Sequence, residues 1–125
     1  MKKLYISCPM RGRTEENIKK TRAKLLQIAK AVFDEPDLEV IDSFVTGNPP
    51  ATKSIAIWNL GESIKKMASA DYYIGIETGT IRNCSLRFPG CIIENSVSLH
   101  YGLKDYRVSP EFVAPDVLLT GEEDG

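Results

Sequence analysis

The sequence predicts an α/β domain, a three-layer doubly wound sandwich around a mainly parallel sheet of four to five strands. Two observations predict it. Short apolar runs of strand length alternate along the chain with longer segments whose apolar residues recur at helical spacing. There are no repeats and no domain linker, and strands that alternate with helices in this way point to one parallel, doubly wound sheet. With 125 residues the chain can bury one core but hardly two.

The elements follow in order. Leu4 to Ser7 is a short buried strand, ended by Pro9 and Gly12. Thr14 offers an N-cap to a first helix, with Glu15 and Glu16 placed to complement its positive end. Ile18, Leu25, Ile28, Ala29 and Val32 give that helix one apolar stripe, and Glu35-Pro36-Asp37 stops it. Leu38 to Ile41 is a second strand, followed by Asp42 and a turn-rich loop over 45–53, "VTGNPPATK". A second helix spans about Ser54 to Ala70, with Ile57, Leu60, Ile64, Met67 and Ala68 on one side. Asp71 to Ile76 is the third strand. A long loop, "ETGTIRNCSLRFPG", leads to a third helix from Cys91 to Tyr101. Tyr106 to Val108 and Val117 to Leu119 are candidate short strands. Residues 1–120 form the domain, and 121–125 are expected to be a disordered acidic tail.

Composition narrows the function classes. The chain is 42% hydrophobic and 26% charged with a net charge of −1 and no basic face, a poor match to a nucleic-acid polymer and a better one to a small molecule. Pro9, Arg11 and Arg13 cut the first apolar run too short for a signal peptide, and no segment is apolar enough to span a bilayer. Cys8, Cys84 and Cys91 are odd in number and lack CxxC spacing, so neither a disulfide framework nor a zinc site is expected. These readings point to a cytoplasmic protein with free thiols and with neither a metal nor a cofactor.

In a doubly wound sheet, ligands bind beyond the carboxyl ends of the strands. That rule selects Ser7 to Arg13, Asp42 to Asn48, Glu77 to Gly90 and the start of the third helix. Familiar chemistries fail there. His100, the single histidine, lies six residues beyond Glu94 on another helix face, which leaves a serine triad without its base. Four residues separate Cys8 from Arg13 where a cysteine phosphatase needs five, and Cys84 has Gly90 in the arginine's place. There is no Walker motif and no GxGxxG. Cys91 sits near a helix N-terminus, which can activate a thiol, but it is read as a packing residue.

Carboxylate chemistry remains. Glu94 is expected in the first turn of the third helix, where the dipole and free N–H groups keep a carboxylate ionised. An ionised, oriented carboxylate can attack an anomeric carbon as retaining glycosidases do. On spacing alone the position favours a glutamate that only complements the dipole, because such glutamates are common.

Four stretches add to this: "LYISCPMRG", "IDSF", "LGESIKKMASAD" and "GCIIENSVSLHYGL". In that order, over about residues 3–104, they resemble an uncharacterised phage and bacterial family of the nucleoside 2-deoxyribosyltransferase-like superfamily. Its characterised relatives include nucleoside 2-deoxyribosyltransferases and 2'-deoxynucleoside 5'-monophosphate N-glycosidases. The resemblance implies a flavodoxin- or Rossmann-like sandwich, a nucleoside or nucleotide substrate, and a homodimer or higher homo-oligomer in which a partner residue often completes the site. It makes Glu94 the nucleophile and Tyr5 its contact. Arg11 is placed against a 5'-phosphate, with Ser7, Gly12, Ser63, Gly90 and Asn95 as further substrate contacts. The relatives' aspartate that helps protonate the base is missing, so Glu62, Asp42 or a group supplied by the substrate is expected to serve, or activity is weak or lost. Asn95 stands where a histidine is usual, and the tryptophan-bearing loop after the third strand is absent. The alternative implied by these departures is a non-catalytic nucleotide-binding module.

Overall fold

The computed structural model describes residues 1–42, 51 and 53–118. Among them the elements run β1 (Lys3–Ile6), α1 (Glu15–Val32), β2 (Glu39–Val40), α2 (Ile55–Met67), β3 (Tyr72–Ile76), α3 (Cys84–Arg87), α4 (Pro89–His100), β4 (Lys104–Val108) and α5 (Pro110–Val113). Single 3-10 turns at Thr78–Thr80 and Pro115–Leu118 complete the order. The four strands form one sheet in the order β2-β1-β3-β4, every pair parallel. This is the expected α/β sandwich, with four strands.

The chain winds both ways from β1, and each direction puts its crossover helices on a different face. Leu4, Ile6, Ile74 and Ile76 pack with Leu25 and Ala29 of α1 and with Val113 and Val117 beyond β4. On the other face Tyr5, Tyr73 and Met67 pack with Val97 and Leu103, beneath α2 and α4. Because β1 and β3 are covered on both sides, they are apolar without alternation, and β3 is buried at every position. β4 is an edge strand, and Lys104, Asp105 and Arg107 give it the charges that discourage further pairing.

Capping explains the helix starts. Thr14 accepts a hydrogen bond from Asn17 N, and Ser54 accepts one from Ile57 N. Pro89 opens α4 at a first-turn position, where its missing N–H costs nothing.

Four expectations need correction. The third helix starts at Pro89 rather than Cys91, which moves Glu94 out of the first turn. Much of the presumed loop after β3 is helical, because Asn83 takes the left-handed backbone (φ 57°) that lets α3 begin. The stretch near Val117 is a 3-10 turn and not a strand, with Pro115 opening it and Val117 fully buried in the α1-side core. The apolar stripe of α2 is not core: only Met67 is buried, and Ile57 is 72% exposed. Val32 of α1 is likewise exposed. The loop over 45–53, save Ala51 and Lys53, Leu119 and the tail 121–125 lie outside the described residues.

Candidate active site

The switch point of this sheet lies between β1 and β3, where the windings diverge. A cleft of about 490 Å³ opens beyond it. The loop after β1 contributes Cys8, Met10 and Arg11, and α2 contributes Ala56, Asn59, Leu60 and Ser63. Arg87, Gly90, Cys91 and Glu94 close the third side. A narrow space of about 40 Å³ shares Cys8, Met10, Ser63 and Glu94 with it and reaches Tyr5 and Arg22.

Glu94 lies at the floor and is 9% exposed. The Tyr5 hydroxyl donates to its Oε2 at 2.8 Å, and the Ser7 hydroxyl donates to its Oε1 at 2.7 Å. Both donors come from alternate residues of one strand end, so they face the same side and hold both carboxylate oxygens. Tyr5 is itself fixed by its neighbour in register, Tyr73, whose ring lies parallel at 5.9 Å.

The sign of the electrostatics differs from that expected. Burial raises the Glu94 carboxyl above its ordinary value, and the hydrogen bonds from Ser7 and Tyr5 only partly oppose that. Glu94 occupies the second turn of α4, and no acidic residue lies in the first. Among the described residues no cation forms an ion pair with it. Burial also raises the Tyr5 phenol, with the adjacent carboxylate adding to it. Cys91 is pushed up to about 12 by burial, in keeping with a packing thiol rather than an activated one.

Ser63 lies against the Tyr5 phenol, and Gly90 leaves the space beside Glu94 open, its nearest prospective neighbour being Leu60 at 4.0 Å. Arg11 sits at the mouth, donating from Nη1 to the Leu86 carbonyl at 3.1 Å, while Arg87 Nη2 reaches the Arg11 carbonyl at 3.4 Å. Two guanidinium groups thus share the rim. Gly12 adopts a positive φ of 72°, and a Cβ there would stand 3.0 Å from Arg87. It shapes the rim and does not line the cleft.

Three expected residues lie elsewhere. Glu62 is on the far side of α2 in an ion pair with Lys65 at 2.8 Å. Asp42 is exposed beyond β2, its carbonyl accepting from Lys66 Nζ at 2.8 Å. Asn95 is buried behind the floor, donating to the Ile76 carbonyl at 3.1 Å and accepting from the Tyr73 hydroxyl. That bond also explains Gly75, where a Cβ would lie 2.8 Å from Asn95 Oδ1. Asn59, Leu60 and Arg22 were not foreseen; no local motif marks them, because only packing brings these helix positions to the strand ends. Arg87 was within reach of the strand-end rule, which selected residues 77–90.

No protein-family model, curated protein or solved structure matches this chain. The chemistry of the cleft stands on its geometry: an oriented, buried carboxylate facing an open space of small-molecule size, with arginines at the rim.

Proposed function

We propose that this protein cleaves or exchanges the N-glycosidic bond of a deoxynucleoside or its 5'-monophosphate, with Glu94 as nucleophile. The observation that carries the reading is the floor of the cleft. A carboxylate that served only as a helix-terminal charge would be exposed in the first turn; this one is buried in the second, with Tyr5 and Ser7 on its two oxygens. Desolvation and two-point orientation are what a nucleophile aimed at an anomeric carbon requires. One Glu94 oxygen attacks C1', the C1'–N bond breaks toward the base, and water or a second base then takes the sugar. Arg11 is positioned at the rim to meet a 5'-phosphate.

The resemblance further implies a homodimer. An apolar groove of about 510 Å³ between α2 and α4 supports it, lined by Ile64, Met67, Ala68, Val97, Tyr101 and Leu103. The second reading, a module that binds a nucleotide without cleaving it, is favoured by Glu94 being the sole carboxylate among the described residues that line the cleft.

Incubation with deoxynucleosides and their monophosphates, followed by chromatography for free base, separates the two. Glu94→Gln keeps shape and hydrogen-bonding capacity but cannot attack, so it should bind the same compounds and release no base. Equal release by wild type and variant places the nucleophile elsewhere, and binding without release by both leaves the module.

A further inference from the structure

Among the described residues the cleft contains the proposed nucleophile but no acid to protonate a departing base. Among the described lining residues Glu94 is the sole carboxylate, and none is a histidine. His100 is exposed at the far end of α4, bonded to Ser96. The arginines keep their protons at neutral pH. Cys8 and Cys91 are raised by burial and are too weak as acids, and the Tyr5 proton is given to Glu94 itself.

A second observation concerns the carboxylate's own charge. A buried anion is normally matched by a cation, yet Glu94 has two neutral hydroxyl donors and no ion-pair partner among the described residues. Among the described residues, then, Glu94 has no paired cation and a departing base has no proton donor. A single kind of ligand supplies the first and removes the need for the second.

Building on the proposed N-glycosidic cleavage, we infer that the preferred substrate is a nucleoside 5'-phosphate whose base already carries a positive charge, such as an N-alkylated purine or an N-ribosylated pyridinium. The cationic ring over Glu94 completes the missing ion pair. When a Glu94 oxygen forms its bond to C1', the electron pair of the breaking C1'–N bond passes into the ring and cancels the charge. The base departs neutral and takes no proton. Water then attacks C1', restores the Glu94 carboxylate and loses its proton to solvent. The phosphate stays at the Arg11 and Arg87 rim, away from the floor.

The test is a matched pair, 7-methyl-2'-deoxyguanosine 5'-monophosphate against 2'-deoxyguanosine 5'-monophosphate, with protein-free and Glu94→Gln controls subtracted. A general acid contributes about 10²–10⁴-fold to such a step. The methylated nucleotide should accordingly be cleaved about 10²-fold or more faster after correction for its greater uncatalysed lability. Comparable corrected rates for both nucleotides mean that a proton donor reaches the cleft; this inference then fails while the glycosidic reading stands. Release of base from neither compound overturns both.

Discussion

At the scale of single residues, Glu94 carries a cost that is measurable without any substrate. Its folded-state pKa is raised above the ordinary 4.5 by burial, so the fold binds that proton more tightly than the unfolded chain does. Stability from this group is therefore present at low pH and is lost as pH rises from about 4.5 through the folded value. Glu94→Gln, neutral at every pH, should melt above wild type at pH 7–8, and the difference should close near pH 4. A variant that melts below wild type at pH 8 would show that the Tyr5 and Ser7 bonds outweigh desolvation. Glu94 is singled out in the sequence by its place near a strand end, but its environment is not legible there. The dipole account assumed that the helix began at Cys91, whereas Pro89 starts it one half-turn earlier, and two residues suffice to turn a solvated charge into a desolvated one. Asp42 and Glu62 are carboxylates near a strand end and in the helix that lines the cleft, but which face of α2 meets the cleft is decided by packing, which no local pattern reports.

At the scale of elements, the loop that follows β1 is held by a clip distant from the floor. The Arg13 side chain is 2% exposed and pairs with Asp116, Nε to Oδ2 at 2.7 Å and Nη2 to Oδ1 at 3.0 Å. It also donates to the Pro9 carbonyl and to Thr21 Oγ1, each at 2.7 Å, and Thr21 in turn donates to the Val113 carbonyl at 3.1 Å. One guanidinium thereby ties the cleft loop, α1 and the turn beyond α5. Removing one partner of a buried pair costs about 3–5 kcal/mol when the other charge is stranded. Arg13→Ala should sit at that level, since it also strands the Pro9 and Thr21 acceptors. Asp116→Asn should cost less, because Asp116 is 36% exposed and its amide can still accept one bond. Urea denaturation of the two variants measures the order, and an Asp116→Asn loss equal to that of Arg13→Ala would assign the stability to the ion pair alone. The alternation of strands and helices was legible because periodicity is local, as were the Thr14 and Ser54 caps. The clip was not: Arg13 and Asp116 lie at opposite ends of the chain, and nothing near either names the other.

At the scale of the whole molecule, the two helical layers are finished to different degrees. The α1 face is closed by α5 and the final 3-10 turn, which bury Val113, Ala114 and Val117. Among the described residues no element covers the α2/α4 face in that way. Ile57 and Ile64 of α2 with Ala68 at its C-cap, and Ile93 and Val97 of α4 with Tyr101 at its C-cap, fall at the four- and seven-residue spacings of a buried stripe. Yet Ile57 is 72% and Tyr101 84% exposed. The amphipathic pattern that predicted a core helix is thus correct about what α2 avoids, water, and silent about what covers it. A second copy joined across this face would account for the pattern, and it would stand beside the cleft, since α2 and α4 each line both the groove and the site. A stable interface buries about 1,200–2,000 Å² in total, so two charges set into it should be decisive. Wild type should sediment at twice the monomer mass, and Ile57→Lys with Tyr101→Lys should sediment as a monomer with unchanged far-ultraviolet circular dichroism, because neither side chain packs in the single-copy fold. If the double variant stays dimeric, the copies meet elsewhere. If wild type is monomeric at concentrations near those in which it acts, the cleft must work with the residues of one chain, and the uncovered face of α2 and α4 is left for another partner.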